Sequence, residues 1–186
     1  MTEPPGLRSS LCTVGHGTLS EEAFAALLAD AGLEEIVDVR SFPGSRRNPQ
    51  FGTDQMARWL PEHNIGYQWM RELGGRRKPV AGSRHVGLRH PSFRAYADYM
   101  DTASFIDAVI ELANGAPARA VMCSESVWWR CHRRLLADHL ILIEGVEVTH
   151  LMHDGRRMPH VPTDAVRRDG DRLTYDVGAT APLPAI

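Results

Sequence analysis

Lysine is almost absent from this chain of 186 residues, because 20 of its 21 basic residues are arginine and only Lys78 is lysine. With arginine so frequent, any single arginine is weak evidence for a binding site. Net charge is also small, at -2, and 43% of the residues are apolar. These values are typical of a globular domain and exclude both a disordered chain and a protein that coats nucleic acid through overall positive charge.

Long apolar runs and a secretory signal are missing as well. Residues 1–10 have no apolar core of the kind that signal peptides carry, and no run approaches the roughly 18 residues that span a bilayer. Cysteine is scarce, and the odd count of Cys12, Cys123 and Cys131 does not resemble a secreted disulfide framework. We therefore expect a cytoplasmic protein with reduced thiols and no membrane partner.

What is present is an alternation of short strand and helix patterns. The predicted strands are 11–14, 35–40, 65–70, 119–122 and 146–152. A first helix is predicted to begin at residue 20, and four more are predicted at 54–62, 93–100, 104–114 and 132–143. Thr18 is the expected N-cap of the first helix. The alternation predicts one α/β domain of three layers, in which helices cover both faces of a mainly parallel sheet. We expect a flexible N-terminus (1–10), the domain itself (11–163) and an irregular tail (164–186) with a candidate edge strand at 172–177.

Polar residues follow the end of each predicted strand. Ligands bind at the carboxyl ends of parallel strands, since loops and helix N-termini meet there. The residues that would share this edge are His16, Asp38, Arg40, the segment 71–75, Cys123, Glu125, His150 and His153. This convergence predicts an active site, provided that the sheet is parallel.

The turn from Cys123 to Arg133 carries the densest chemistry. A thiol beside a helix N-terminus and near Arg130, Arg133 and Arg134 has its thiolate form favoured, so Cys123 or Cys131 is a candidate nucleophile. The alternative is that Cys123 is a small buried core residue.

Glu125 and His132 add groups that exchange protons. Glu125 is either a general acid or base, or a carboxylate that orients an arginine of the turn. His132 with Arg133 offers a proton carrier and an anion clamp, and the alternative is a first helical turn with solvated basic side chains.

A second candidate site is the segment from Asp38 to Phe51. An anion could be held in this loop, which two prolines stiffen, by Arg40, Arg46 and Arg47 together with Ser41 and Ser45. Asp38 either aims Arg40 or serves as a base. The alternative is a surface loop with solvated arginines.

The stretch 71–94 is locally basic, with six arginines, one lysine and two histidines against one acidic residue, Glu72. Such a patch attracts phosphate backbones. It leaves open a nucleic-acid-binding module without catalysis, or a solvated mobile loop.

Soft metal ligands form a further alternative. A metal or haem-type site could use Cys123, Cys131, His132 and His16, although their spacing is not that of a zinc knuckle or ribbon. The residues do not identify a cofactor.

Several of these motifs together resemble DUF488, a family described as a domain of unknown function. They are Thr13-Val-Gly-His-Gly, Asp38-Val-Arg-Ser-Phe-Pro-Gly-Ser-Arg46, Leu73-Gly-Gly75, the segment 93–100, Cys123-Ser-Glu and Cys131-His-Arg133. The resemblance runs from about residue 12 to 154. Gly17 and Ser124 stand where the family usually has Ser and Ala, and Trp128 and Trp129 replace a more polar stretch.

The resemblance implies no reaction. It implies that the signature positions of the family are occupied here by His16, Asp38, Arg40, Ser45, Arg46, Cys123, Glu125, Cys131, His132 and Arg133. The Asp38-Val-Arg40 segment is also similar to one in rhodaneses, with Cys123 roughly at the position of their thiol. The short active loop of rhodaneses is not reproduced here.

Together these patterns predict an enzyme, a hydrolase or transferase with thiol or carboxylate catalysis. Its expected partner is an anionic small molecule or nucleic acid, bound by His16, Arg40, Ser45, Arg46 and Arg133. The expected catalytic residues are Cys123, Glu125, His132 and Asp38.

Overall fold

The computed structural model describes residues 10–44, 46–115 and 118–178. The strands, in chain order, are β1 (Ser10–Gly15), β2 (Glu35–Asp38), β3 (Gly66–Trp69), β4 (Arg119–Cys123), β5 (Glu147–Leu151), β6 (Arg157–Pro159), β7 (Val166–Asp169) and β8 (Arg172–Tyr175). The helices are α1 (Glu21–Asp30), α2 (Thr53–Glu62), α3 (Pro91–Tyr99), α4 (Ala103–Ala113) and α5 (Arg133–Leu142). Short 3₁₀ helices cover Pro49–Phe51, Arg71–Leu73 and Trp128–Arg130. Among the described helices, none is long and apolar enough to cross a membrane.

The first six strands form one sheet in the order β3-β2-β4-β1-β5-β6. Strands β1 to β5 pair in parallel, and β6 adds an antiparallel edge to β5. The prediction of a mainly parallel sheet is therefore confirmed. Since β1 lies beside β4 and β4 beside β2, their carboxyl ends are neighbours.

Two apolar clusters lie on opposite faces of this sheet. Successive side chains of a strand point to opposite faces, and in β4 Ala120 and Met122 pack with α1 and α2, whereas Val121 packs with α3 to α5. All three are fully buried, as expected for a central parallel strand that is covered on both sides. The predicted single α/β domain with three layers is confirmed.

The first helix begins within one residue of its predicted start, but its N-cap differs from the prediction. Its N-cap is Ser20, whose hydroxyl accepts a hydrogen bond from the backbone N–H of Ala23 at 3.2 Å. The expectation that Thr18 caps this helix is wrong. The backbone N–H of Leu19 donates to the carbonyl of His16, so the chain is still in a turn there.

A β-hairpin lies within the segment that was expected to be irregular (164–186). Its strands β7 and β8 pair only with each other, so the strand predicted at 172–177 does not extend the edge of the main sheet. Leu173 and Tyr175 of β8 are buried in the core beside α3 to α5. The predicted flexible N-terminus lies, up to residue 9, outside the described residues.

Candidate active site

The carboxyl ends of β1, β2 and β4 surround one open cavity of about 470 Å³. The residues that line it and that the sequence singled out are His16, Arg40, Cys123, Glu125, Cys131 and His132. Asp38, Arg46 and Arg133 are not among its lining residues, and Ser45 lies outside the described residues. Most of the predicted site residues therefore lie around one space.

The end of β1 packs tightly against the turn that follows β4. Gly15 pairs with Cys123 in register, and the backbone N–H of His16 donates to the carbonyl of Cys123 at 3.1 Å. A Cβ atom on Gly15 would lie 1.9 Å from the carbonyl oxygen of Glu125. Glycine at this position is what lets the two loops meet, and it brings His16 next to the cysteine turn.

Cys123, Cys131 and His132 form a buried group at the cavity wall, here called the cysteine cluster. The ring atom Nε2 of His132 lies 3.1 Å from the carbonyl oxygen of Val39. A carbonyl only accepts, so Nε2 carries the proton. The lone pair of the neutral ring is then on Nδ1, which lies 3.5 Å from Sγ of Cys131 and 3.9 Å from Sγ of Cys123. One imidazole nitrogen therefore faces both thiols.

The two thiols differ in acidity. The hydrogen bond to Cys131 and burial both raise the pKa of Cys123. Burial also raises the pKa of Cys131, but the hydrogen bond from Cys123 and the charge of Arg133 outweigh it, so that this pKa is lowered. Of the two thiols, Cys131 is therefore the one whose thiolate form is favoured.

Arg133 explains where that charge resides. Its side chain is only 1% exposed, and Nε donates to Sγ of Cys131 at 3.5 Å. Its other donors reach the hydroxyl of Thr13 at 3.4 Å and the carbonyl of Glu125. No carboxylate of residues 10–44, 46–115 and 118–178 pairs with it. Because a buried guanidinium favours negative charge beside it, Arg133 stabilises the thiolate form of Cys131.

The position of α5 makes this arrangement possible. The helix begins directly after His132, which occupies the N-cap without a side-chain capping bond, so its ring is free to face the thiols. The positive end of the helix then lies beside Cys131. Arg134, one residue further, donates to the hydroxyl of Thr163 at 2.8 Å, while Arg130 lines the cavity.

Asp38 and Arg40 form the second wall. Both are buried, and the carboxylate accepts two bonds from the guanidinium, at 2.8 Å from Nε and 2.6 Å from Nη2. It also accepts from the hydroxyl of Tyr67 at 2.8 Å. Of the two roles predicted for Asp38, this geometry is that of a residue that aims Arg40.

His16 completes this wall as a neutral ring. Arg40 Nη1 donates to Nε2 of His16 at 3.2 Å, and the opposite nitrogen donates to the carbonyl of Gly17 at 2.9 Å. Burial and the charge of Arg40 lower the pKa of His16 to about 4. The ring stacks on Phe51 at 4.1 Å between centroids, which fixes its plane.

The outer rim carries side chains that the cavity leaves exposed. They are Phe42, Arg76, Glu125 and Arg130. The carboxylate of Glu125 has no hydrogen-bond or ion-pair partner within the described part of the chain. Arg76 entered the sequence argument only as part of the basic stretch, and Phe42 not as a functional residue. Only folding brings both next to the cysteine turn.

The basic stretch 71–94 reaches the site near its two ends, where Gly75, Arg76, Ser92 and Phe93 line the cavity. A Cβ atom on Gly75 would lie 2.4 Å from Nδ1 of His132, so the loop touches the cysteine cluster. Several of its arginines stabilise the loop itself. Arg77 donates to the carbonyls of Gly74 and Glu72 at 2.8 and 2.7 Å, and Arg84 pairs with Asp101 at 2.6 Å. These side chains are thereby committed to the protein.

A second polar group lies on the other side of β1 and is called here the histidine chain. The hydroxyl of Thr13 lies 2.7 Å from His150, whose other nitrogen lies 2.9 Å from His160. His160 in turn lies 2.8 Å from the carboxylate of Asp138. All four residues are buried, and Trp128 stacks on His150 at 4.1 Å. Through Thr13 the chain contacts Arg133 and thus the cysteine cluster.

The cysteine cluster has the donor atoms of a metal site. The two sulfur atoms and a ring nitrogen of His132 all lie within 4.8 Å of one another. Two cysteine thiolates and an imidazole suit Zn²⁺ and other soft cations. His16, the fourth predicted ligand, is not in this group, because its Nε2 faces Arg40.

Comparison with known protein families gives a match, which includes most of the elements around the cavity. A family model described as "Domain of unknown function DUF488" matches residues 20–140, which is 121 of 186 residues and covers α1 to α5 up to Leu140. No curated protein and no solved structure shows a significant match. The match includes the Asp38–Arg40 wall and the whole cysteine turn, and the chain belongs to the DUF488 family.

Proposed function

We propose that the protein is an enzyme that uses a cysteine thiolate on an anionic substrate, phosphorylated or derived from nucleic acid, as a hydrolase or transferase. One observation carries the proposal. Arg133 is a buried cation, and among its hydrogen-bond partners within the described residues only Cys131, which lines an open cavity, can carry negative charge. The sequence alone favoured Cys123 as the nucleophile, whereas the charges favour Cys131.

The substrate would be held at the cavity mouth. Arg76 and Arg130 are exposed there, and their forks of donors match phosphate and carboxylate oxygens. Arg40 lies deeper, and most of its donors are committed to Asp38, His16 and Phe51. It therefore contributes positive charge to the cavity more than free hydrogen bonds.

The chemistry follows from the groups around the thiol. The Cys131 thiolate attacks an electrophilic centre, and the bond to sulfur forms as the bond to the leaving group breaks. The leaving group departs with the electron pair and takes a proton from water. Water or an alcohol then attacks the same centre, the bond to sulfur breaks, and the thiolate is regenerated. The proton of the attacking group passes to Glu125, with Nδ1 of His132, 3.5 Å from Sγ of Cys131, as a second acceptor.

Alkylation of the thiols tests the thiolate without knowledge of the substrate. Iodoacetamide should modify Cys131 at pH 7 faster than it modifies free cysteine, as followed by intact mass and peptide mapping. The fast reaction should vanish in Cys131→Ser and persist in Cys12→Ser, the matched control, because Cys12 is buried and burial raises its pKa. Unchanged fast modification of Cys131→Ser would overturn the assignment.

Turnover is tested with chromogenic phosphate mono- and diesters. Release of nitrophenol should fall by at least about 100-fold in Cys131→Ser, because the nucleophile is lost, and change less than about twofold in Cys12→Ser. Equal activity of the two variants would exclude thiol catalysis.

A metal centre is the second candidate, favoured by the close donor atoms of the cysteine cluster. Three protein ligands at a cavity wall resemble a catalytic zinc site, in which the fourth position stays open. Elemental analysis of untagged protein decides between the candidates. One equivalent of zinc or iron, lost in Cys123→Ser and retained in Cys12→Ser, would replace thiol catalysis with metal-assisted chemistry.

A further inference from the structure

We infer that the cavity recognises a nucleotide, with its base stacked on Phe42 and its phosphate held by Arg76 and Arg130. The inference rests on the proposed function, since it names the substrate class of the same cavity. It is carried by an aromatic ring that the fold leaves exposed at the cavity mouth, together with the cations beside it.

Phe42 is the first part of this argument. It lines the cavity and is 63% exposed, the largest exposure of any described phenylalanine, whereas Phe24, Phe51 and Phe105 are fully buried. A phenyl ring normally leaves water, because burial stabilises it by roughly 1.5–3 kcal/mol. More than half of the ring surface therefore stays in solvent, where a flat ligand could stack beside the two arginines that lie over the ring.

The backbone around Phe42 is fixed rather than loose. The hydroxyl of Ser41 accepts from the backbone N–H of Arg76 at 2.9 Å. The carbonyl of Phe42 accepts from Gly44 at 2.9 Å, and that of Pro43 accepts from the backbone of Thr53 at 3.1 Å. These bonds tie the turn after β2 to the loop after β3 and to α2. The ring is thus presented at a defined place.

The charges beside the ring supply the second half of a nucleotide site. The guanidinium carbons of Arg71 and Arg76 lie 5.7 and 5.9 Å from the centre of the Phe42 ring. Arg76 and the exposed Arg130 also line the cavity, so cations flank both the ring and the space beside it. A base has a π-face that stacks on an aromatic ring, and its phosphate pairs with arginine forks. Sugar phosphates lack the first of these features.

The size of the cavity limits the ligand to one unit. A volume of about 470 Å³ is within the roughly 300–1,000 Å³ of pockets that hold small ligands. The cavity therefore suits a mononucleotide or the terminal nucleotide of a strand and not a duplex. Both sources present the same chemistry, a base with an adjacent phosphate.

Calorimetric titration separates the base from the phosphate. AMP and ribose 5-phosphate are titrated into the wild type and into Phe42→Ala, Phe42→Trp and Val80→Ala. The last variant is the control, because Val80 is exposed in the stretch 71–94 but does not line the cavity. We expect AMP to bind more tightly than ribose 5-phosphate. Phe42→Ala should weaken AMP binding by about 5- to 150-fold, the range measured for loss of one stacked base. Phe42→Trp should restore it, and Val80→Ala should leave it unchanged.

A 5′-phosphorylated oligonucleotide of ten bases identifies the source of the nucleotide. Equal affinity for AMP indicates a free nucleotide, and tighter binding of the oligonucleotide that still depends on Phe42 indicates a strand end. If AMP and ribose 5-phosphate bind equally and Phe42→Ala changes neither, the nucleotide inference fails while an anion site remains. If neither binds, the inference also fails, and the alkylation of Cys131 then shows separately whether the proposed thiolate exists.

Discussion

The cysteine cluster and the histidine chain are two buried polar groups on either side of β1, and they differ in their access to the cavity. The histidine chain is hydrogen-bonded within the protein and none of its residues lines the cavity. The cysteine cluster is also bonded internally, with Arg133 donating to Cys131, but its three residues line the wall of the open cavity. An enclosed polar network stabilises a fold, whereas one at a cavity wall can also contact a ligand.

The direction of the histidine chain can be read from its ends. Asp138 can only accept, so His160 donates to it with Nε2. With the proton of His160 on Nε2, its Nδ1 accepts from Nε2 of His150. Nδ1 of His150 then accepts from the hydroxyl of Thr13, whose oxygen accepts from Arg133. The buried carboxylate at one end and the buried guanidinium at the other are thus linked by a single ordered series of donors.

The largest expected effect comes from breaking the closed end of the histidine chain. Asp138 accepts from His160, from the backbone N–H of Thr163 at 3.0 Å and from the hydroxyl of Tyr175 at 3.1 Å. Asp138→Ala leaves these donors buried without an acceptor, which should lower the free energy of unfolding by about 3–5 kcal/mol. Urea denaturation measures it, and Asp138→Asn should lose less because it keeps one acceptor oxygen.

A smaller loss would show that the donors find other partners, and the contrast between the two polar groups would then weaken. The same experiment on Glu125→Ala gives the reference value for an exposed carboxylate at the open site.

Acid should destabilise the protein through its buried neutral histidines. Burial and neighbouring charges lower the pKa of His150 to about 3, and burial lowers that of His139 to about 4. The unfolded chain binds these protons near pH 6.5, so stability is complete above that pH and falls as the pH drops towards the folded values. Each histidine contributes at most about 1.4 kcal/mol per pH unit in this window.

His139 offers a clean variant for this test. It lies outside both polar groups, against Phe105, and the carboxylate of Glu144 is 3.3 Å from Nε2 without forming a hydrogen bond. In urea titrations between pH 7 and 4.5, His139→Leu should reduce the slope of unfolding free energy against pH by the share of one histidine. An unchanged slope would mean that His139 titrates with the same pKa in the folded and unfolded states.

The contrast also shows what the sequence could and could not predict. Alternating short patterns predicted the parallel sheet, and the position of Cys123, Arg40 and His16 just after strands predicted a shared cavity, because parallel strands end at one edge. The role of Arg133 was not predictable in this way. Its position beside Cys131 suggested an anion clamp, but only packing against Thr13 reveals a buried side chain turned inward.

Contacts between residues far apart in the chain could not be predicted from the sequence for the same reason. His150 is 137 residues from Thr13 in the chain, and Asp138 looked like a polar position within an amphipathic helix. The stretch 71–94 was noted for its charge, but its contact with His132 depends on Gly75 and on bonds within the loop. Local patterns carry no information about such contacts.

The smallest expected effect on stability is at the open site. Glu125→Gln removes the charge of an exposed carboxylate that has no partner in the described chain, so the free energy of unfolding should change by less than about 0.5 kcal/mol. If Glu125 carries a proton in turnover, the rate should nevertheless fall about 10²- to 10⁴-fold, while alkylation of Cys131 stays as fast as in the wild type. A variant that is stable, alkylated normally and inactive would separate proton transfer from nucleophile activation. A fully active Glu125→Gln would assign proton transfer to His132 alone, and it would show that lack of a partner is not by itself a sign of chemistry at this rim.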